Sequence, residues 1–223
     1  MKPRQLIATA AVPGGDELRL FSRGDDFMIV LDNNELMNSR MSGSEEALAL
    51  LAFERMRNKL TPKILIGGYG MGFTLRASLA ALPKNAAVTV VELVPDIIDW
   101  ARGPMSALTA GCLDDPRVTL RIGDVGDAIA EGRGSCDAIL LDVDNGPDGL
   151  TRLSNDRLYS RHGLSVAAAA LAPGGKLAIW SAAPDAAFTR RLRECGFQVE
   201  EVVVRARSNG KGPRHTIWFA GNK

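Results

Sequence analysis

The feature that most constrains the fold of this chain is a short apolar run, Ile64–Ile66, that passes directly into a glycine-rich turn at 67–72. A helix-forming run follows, and a second apolar run ends in the carboxylate of Glu92. In an open parallel sheet, ligands lie beyond the carboxyl ends of the strands, where glycines let the backbone approach them. An acidic residue about 20 positions after such a turn is placed to bind two ribose hydroxyls. The pattern predicts a nucleoside site built from Gly67, Gly68, Tyr69, Gly70, Gly72 and Glu92.

The spacing of the turn indicates which nucleoside it suits. Gly68-x-Gly70-x-Gly72 is tighter than the Gly-x-Gly-x-x-Gly turn that holds a pyrophosphate, and no Lys-Ser/Thr pair follows it. An adenosine without phosphate, as in S-adenosylmethionine, fits this turn better than a dinucleotide, which remains the alternative. Tyr69 lies inside the turn and is predicted to cover the ligand rather than to join the core.

Strand and helix patterns alternate from residue 63 to residue 194 and end in an antiparallel hairpin at 198–206 and 215–220. This order predicts an α/β fold with a doubly wound, mostly parallel sheet of the Rossmann-like methyltransferase type. Three short extended runs within residues 1–40 predict a small N-terminal β-meander. The rest, 41–223, is predicted to be the nucleoside-binding domain. Its first helix is predicted to begin with Ser44 as N-cap, and a later helix to span 156–171.

Composition excludes several classes of function. The 223 residues carry a formal net charge of +1, which gives no long-range field to attract nucleic acid or an anionic membrane. The three cysteines and two histidines lack metal-ligand spacing, so no metal is expected. The chain begins without an apolar segment, and we expect a cytoplasmic protein. No interface is evident from the sequence, which leaves a homodimer open.

Four acidic residues lie at or just after the ends of three predicted strands: Glu92, Asp124, Asp142 and Asp144. The Gly-Asp turn at 123–124 can present a carboxylate to the exocyclic amine of adenine, so Asp124 and the adjacent Val125 are predicted to line the adenine pocket. Asp142 ends a fully apolar strand across the cleft from the glycine turn, where it would face the transferable group of a sulfonium. Because Asp also favours turns and helix N-caps, a purely structural role stays open for each.

The runs 111–118, Gly123-Asp124 and 137–142 resemble the spermidine synthase (polyamine aminopropyltransferase) family. The likeness continues at 153–159 and 171–177 and covers roughly residues 25 to 180. It implies polyamine biosynthesis, with decarboxylated S-adenosylmethionine as donor and a small-molecule amine as acceptor. It also implies that Asp142 orients or deprotonates the attacking amine, with Asp144 and Asn145 beside the substrate.

The chain departs from the family on the acceptor side. The glycine turn lacks the family's Asp, Asn145 stands where the Asp-x-x-Asp loop has its second Asp, and Leu48 and Ala49 stand near the family's tyrosine and histidine. The only evident replacement carboxylates are those of Glu45, Glu46 and Asp144. An S-adenosylmethionine-dependent methyltransferase and a non-catalytic nucleoside-binding protein therefore remain alternatives. Methyl transfer needs little beyond alignment of the reacting groups, and fold does not imply chemistry.

Overall fold

A seven-stranded sheet forms the centre of the protein. The structure, a computed structural model, describes residues 2–14, 17–32, 34–143, 146–147 and 156–221. A separate, small antiparallel sheet is formed by the N-terminal part of the chain. It contains β1 (Gln5–Ala11), β2 (Glu17–Arg23), β3 (Asp26–Leu31) and β4 (Asn34–Asn38). The main sheet contains β5 (Lys63–Gly67), β6 (Ala87–Glu92), β7 (Val118–Ile122), β8 (Cys136–Leu141), β9 (Leu171–Ser181), β10 (Gln198–Arg205) and β11 (Arg214–Gly221).

The strand order of the main sheet is β10-β11-β9-β8-β5-β6-β7. Strands β5 to β9 are parallel, and β11 pairs antiparallel with both β9 and β10. This is the predicted doubly wound sheet with a terminal hairpin, and the fold-class prediction is confirmed. The order reverses between β5 and β8, and such a switch point is where open α/β sheets bind ligands.

Helices connect the strands: α1 (Gly43–Glu54), α2 (Phe73–Ala81), α3 (Pro95–Arg102), α4 (Ser106–Thr109), α5 (Val125–Glu131), α6 (Asp156–Tyr159), α7 (Arg161–Ala170) and α8 (Ala186–Glu194). A single 3₁₀ turn spans Cys112–Asp114. No helix in the described ranges is long and apolar enough to cross a membrane.

Two local predictions are wrong. The helix predicted over 156–171 is two helices, because Ser160 has an extended backbone and caps α7 by accepting a hydrogen bond from the Gly163 N–H. Ser44 is not the N-cap of α1: the cap position is Ser42, and Ser44 lies within the first turn. The strand β4 was not predicted from the sequence, because Asn34 at its start belongs to a polar run that is typical of a turn.

The N-terminal sheet and the main sheet share one apolar core. Leu20 and Ile29 of the small sheet belong to the same buried cluster as Leu48 of α1 and Ile66 of β5. Helix α1 packs against α2 and against strands β8 to β11. The Thr74 hydroxyl contacts the Glu45 carbonyl, so the N-terminus of α1 lies at the rim where the parallel strands end.

The N-terminus of α1 is also tied to the C-terminal hairpin. The Gly43 N–H donates to the Ala206 carbonyl at 2.9 Å. A Cβ at Gly43 would lie 2.4 Å from the Ser208 backbone nitrogen, so only glycine permits this approach. The start of α1 therefore sits against the end of β10, close to the beginning of β11.

Candidate active site

The glycine turn is anchored by Glu92 at the end of β6. One carboxylate oxygen of Glu92 accepts from the Tyr69 N–H at 2.8 Å, and the other accepts from the Val94 N–H at 3.0 Å. Only 5% of Glu92 is exposed, and this burial raises the pKa of its carboxyl, whereas the backbone donors act in the opposite direction. The backbone N–H groups of Gly70 and Leu93 also act on this carboxylate. Glu92 therefore has a structural role in holding the turn, and its predicted contact with ribose stays a prediction.

Two glycines of the turn are required by the backbone. Gly68 has φ +85°, and a Cβ there would lie 2.3 Å from the Asp142 carbonyl oxygen. Gly72 has φ +78° and lies against the Tyr69 hydroxyl. Positive φ disfavours other residues, so the turn can pass this close to the end of β8 only as a glycine turn.

Tyr69 corrects a sequence-based prediction. Its side chain is only 4% exposed and belongs to the buried apolar cluster, and its hydroxyl lies 3.5 Å from the Cys112 Sγ. Burial raises the pKa of this hydroxyl. The prediction that the ring covers the ligand instead of joining the core is wrong. The glycines beside it let the backbone turn so that the ring points inward, while its N–H binds Glu92.

Asp124 is held on two sides. It caps α5, because one carboxylate oxygen accepts from the Gly126 N–H at 2.7 Å, and its other oxygen lies 2.7 Å from the Arg157 guanidinium. Val125 is buried in the second apolar cluster. The capping role left open for Asp124 is therefore present, and adenine binding by Asp124 and Val125 stays a prediction. Arg157 was missed, although it lies in the run 153–159 that carries part of the resemblance.

Asp142 lies directly after β8, at the switch point of the sheet. Its N–H donates to the Gly67 carbonyl at 2.9 Å, and its carboxylate accepts from the Thr74 hydroxyl at 2.6 Å. Thr74 belongs to the first turn of α2. The glycine turn and the helix that follows it thus fix both the backbone and the side chain of Asp142.

Glu45 brings a second carboxylate to Asp142. It lies in the first turn of α1 and is half-buried. Burial first, and the negative charge of Asp142 second, raise the pKa of the Glu45 carboxyl; burial also raises that of Asp142, against the Thr74 hydrogen bond. Two carboxyls that act on each other in this way titrate as a pair. Among the replacement carboxylates suggested by the sequence, Glu45 meets Asp142, whereas Asp144 and Asn145 lie outside the described residues.

Ser44 and His215 extend this cluster, and sequence reasoning missed both. The Ser44 hydroxyl donates to a Glu45 carboxylate oxygen at 2.6 Å, and its oxygen lies 2.8 Å from the His215 Nδ1. The His215 ring contacts the edge of the Trp180 ring with centroids 4.7 Å apart. No local motif marks His215, because its partners come from α1 and β9, far away in the sequence.

The raised pKa of Glu45 predicts how stability depends on pH. A carboxyl with a higher pKa in the folded state holds its proton longer than in the unfolded chain, so stability falls as pH rises above its ordinary value of 4.5. We expect Glu45→Gln to raise the melting midpoint near pH 8 and to change it little near pH 4, below the window. A gain of about 1 kcal/mol corresponds to about 2–4 °C for a domain of this size. Differential scanning calorimetry at both pH values checks this.

The matched control for that experiment is Glu54→Gln, an exposed acid in the last turn of the same helix. It should leave the pH dependence as in the wild type. A midpoint difference between wild type and Glu45→Gln that is the same at both pH values would contradict the desolvation of Glu45.

Comparison with known proteins identifies the family. The profile of the spermine/spermidine synthase domain matches residues 44–187. A polyamine aminopropyltransferase of Mycobacterium tuberculosis is 31% identical over 195 residues, which cover 82% of this chain and 35% of the relative. The chain therefore spans about a third of the length of this curated relative.

Solved structures share the fold. A spermidine synthase from Thermotoga maritima has a TM-score of 0.78 at 19% identity, covering 98% of this chain and 73% of that one. A spermidine synthase in complex with the transition-state analogue AdoDATO has a TM-score of 0.77, with the same identity and coverage. With the match of its family profile over residues 44–187, the chain belongs to the spermine/spermidine synthase family.

Proposed function

We propose that this chain is an aminopropyltransferase that moves the aminopropyl group of decarboxylated S-adenosylmethionine to an amine. The observation that carries the proposal is the position of the Thr74 hydroxyl beside the glycine turn. It lies 2.6 Å from the Asp142 carboxylate and 3.3 Å from the Glu45 carbonyl, so both acidic residues lie at one place on the rim. An ammonium group is stabilised by carboxylates within a few ångströms. The glycine turn would bind the nucleoside part of a sulfonium donor, and the adjacent carboxylate pair would bind the amine acceptor.

The donor would lie along the turn formed by Gly67, Gly68, Tyr69, Gly70 and Gly72. Glu92 would bind the ribose hydroxyls. The adenine would lie near Asp124 and Val125, at the start of α5. Arg157 would then share the Asp124 carboxylate with the adenine amine, since both are donors and a carboxylate accepts several hydrogen bonds.

The acceptor amine would lie on the side of Asp142, with Asp144 and Asn145 following in the same segment. The amine arrives as an ammonium and must lose a proton before it can attack carbon. Its nitrogen lone pair then forms a bond to the aminopropyl carbon. The carbon–sulfur bond breaks with its electron pair going to sulfur, which becomes the neutral thioether of methylthioadenosine. The product carries the new carbon–nitrogen bond as a secondary ammonium.

Product analysis tests the proposal. We expect mass spectrometry of reactions with decarboxylated S-adenosylmethionine and a panel of mono- and diamines to show methylthioadenosine and an aminopropylated amine in equal amounts. S-Adenosylmethionine with the same amines should give no methylated product. Methylation from S-adenosylmethionine, with no methylthioadenosine from any amine tried, would instead make the chain a methyltransferase.

A further inference from the structure

We propose that Ser44 and His215 form a proton outlet for the carboxylate pair, so that the proton of the acceptor amine leaves through Glu45, Ser44 and His215 in turn. This inference rests on the proposed function for the source of the proton. In this proposal Glu45 accepts the proton, and Ser44 of α1 and His215 of β11 pass it on to solvent.

Contacts connect the carboxylate pair to the hairpin. The Thr74 hydroxyl lies 2.6 Å from the Asp142 carboxylate and 3.3 Å from the Glu45 carbonyl. Ser44 connects Glu45 to His215 through contacts of 2.6 and 2.8 Å. These contacts are as short as strong hydrogen bonds between oxygen and nitrogen atoms. Ser44 is 0% exposed, so its hydroxyl can pass a proton but cannot meet a substrate as a nucleophile.

The chain has two arrangements of protons. When Glu45 is ionised, the His215 Nδ1–H donates to the Ser44 oxygen and the Ser44 hydroxyl donates to Glu45. When Glu45 is protonated, its O–H donates to Ser44, and the Ser44 hydroxyl donates to an unprotonated Nδ1. A hydroxyl both donates and accepts, and a neutral imidazole does the same through its two nitrogens. Reversal of the chain therefore moves one proton from Glu45 to Nδ1.

The surroundings favour the first and the last step of the relay. The transfer from Glu45 to His215 between them runs against the two pKa shifts, and release of the proton to water draws it forward. Burial and the negative charge of Asp142, with a smaller contribution from Glu46, raise the pKa of Glu45, which makes it a competent base near neutral pH. Burial lowers the pKa of His215, whose ring lies between Ser44 of α1 and Trp180 of β9. An imidazolium formed there gives up its Nε2 proton readily, because the buried site disfavours its charge.

The full step balances. The acceptor ammonium gives one proton to the carboxylate pair and attacks as a neutral amine. Once the pair is protonated, His215 exchanges its Nδ1–H for an Nε2–H with water, which frees Nδ1. The pair then passes one proton through the Ser44 hydroxyl to Nδ1, and His215 releases one proton from Nε2 to water. At the end the pair, the serine and the histidine are each in their starting state, and one proton has reached solvent.

The kinetic test uses His215→Gln and Ser44→Ala. Near pH 7 we expect each to lower kcat by about 10–100-fold, at or below the usual contribution of a general base, with the KM for the donor unchanged. Near pH 10 a substantial fraction of a primary amine arrives neutral, because the pKa of such an amine, as of lysine, is about 10.4. The loss in the variants should therefore be clearly smaller than near pH 7. The double variant should be no slower than either single variant, because the loss of one member already stops proton transfer through the relay and the loss of the second removes nothing more.

The matched control is His162→Gln, which changes the other histidine of the chain, an exposed one on α7. Its kcat should match the wild type at both pH values. Imidazole added to His215→Ala should restore turnover near pH 7, which a merely structural loss would not allow. An equal loss for His215→Gln at both pH values, or no loss at either, overturns the relay.

A second measurement decides the relay without turnover. Nitrogen-15 NMR of His215 in the free protein should show the Nε2–H tautomer at pH values where the ring is neutral and Glu45 is protonated. This tautomer should give way to Nδ1–H as Glu45 ionises at higher pH. Ser44→Ala and Glu45→Gln should each abolish this change. A tautomer that responds to neither variant overturns the relay. A wild-type protein that shows the tautomer change but transfers no aminopropyl group overturns the proposed function and leaves the proton chain supported.

Discussion

Replacing Asp142 with Asn is expected to reduce turnover with amines by about 10²–10⁴-fold, the usual range for loss of a general base, while donor binding persists. An amide cannot accept the proton of the attacking ammonium. It can still accept the hydrogen bond from Thr74, which lies 2.6 Å from the carboxylate, so the geometry of the site should survive. Steady-state rates measured beside calorimetric titration with methylthioadenosine separate the two effects.

Asp99→Asn provides the control for this experiment. It removes an exposed carboxylate on α3 and should leave both the rate and the affinity as in the wild type. Turnover of the Asp142→Asn variant within a factor of about ten of the wild type would remove Asp142 from the chemistry, since general-base catalysis contributes more than that.

Replacing Glu92 with Gln is expected to weaken donor binding by at least about 10²-fold. Hydrogen bonds to a charged group contribute about 1.5–3 kcal/mol each, and about 1.4 kcal/mol corresponds to a factor of ten in affinity. The buried amide of the variant can accept from only one of the two N–H donors that now bind the carboxylate, and it sets its N–H₂ group against the other, Tyr69 or Val94. We therefore expect a loss of stability of about 1–3 kcal/mol as well.

Two readouts are needed because the two losses have different causes. Calorimetric titration with methylthioadenosine gives the affinity, and thermal unfolding without ligand gives the stability. Lower stability with unchanged affinity would confine Glu92 to holding the glycine turn. Asp99→Asn again serves as the control for the loss of one negative charge on the same side of the sheet.

The parallel sheet was predictable because its signals are local. Each strand is a short apolar run, and each is followed by a helix pattern, so the alternation from Lys63 onward determines the order of elements. The glycine turn was predictable for the same reason, since the positive φ of Gly68 and Gly72 needs residues without a side chain. Helix boundaries were less predictable, as the break at Ser160 shows, because a serine fits both a helix and a cap.

The acceptor side of the site was not predictable, because it depends on contacts between distant elements. Tyr69 appeared exposed in a glycine turn, but the turn directs its ring into the core. In the sequence Glu45 is one of several acidic residues, and only the packing of α1 against α2 places it near Asp142. His215 had no sequence signal at all, since its partner Ser44 lies 171 positions away.

The contacts between the start of α1 and the last hairpin have a consequence for the order in which the protein folds during its synthesis. The Gly43 N–H donates to the Ala206 carbonyl, and Ser44 contacts His215. The start of α1 and the last hairpin therefore form this part of the rim together. Contacts so far apart in sequence form late, because the loop between them must first be ordered. Before β10 and β11 are in place, a nascent chain can form the glycine turn and the central strands and can pack α1 against α2. The first turn of α1 still lacks its partners Ala206 and His215 at that stage. The donor-binding elements would thus form before the acceptor rim is complete.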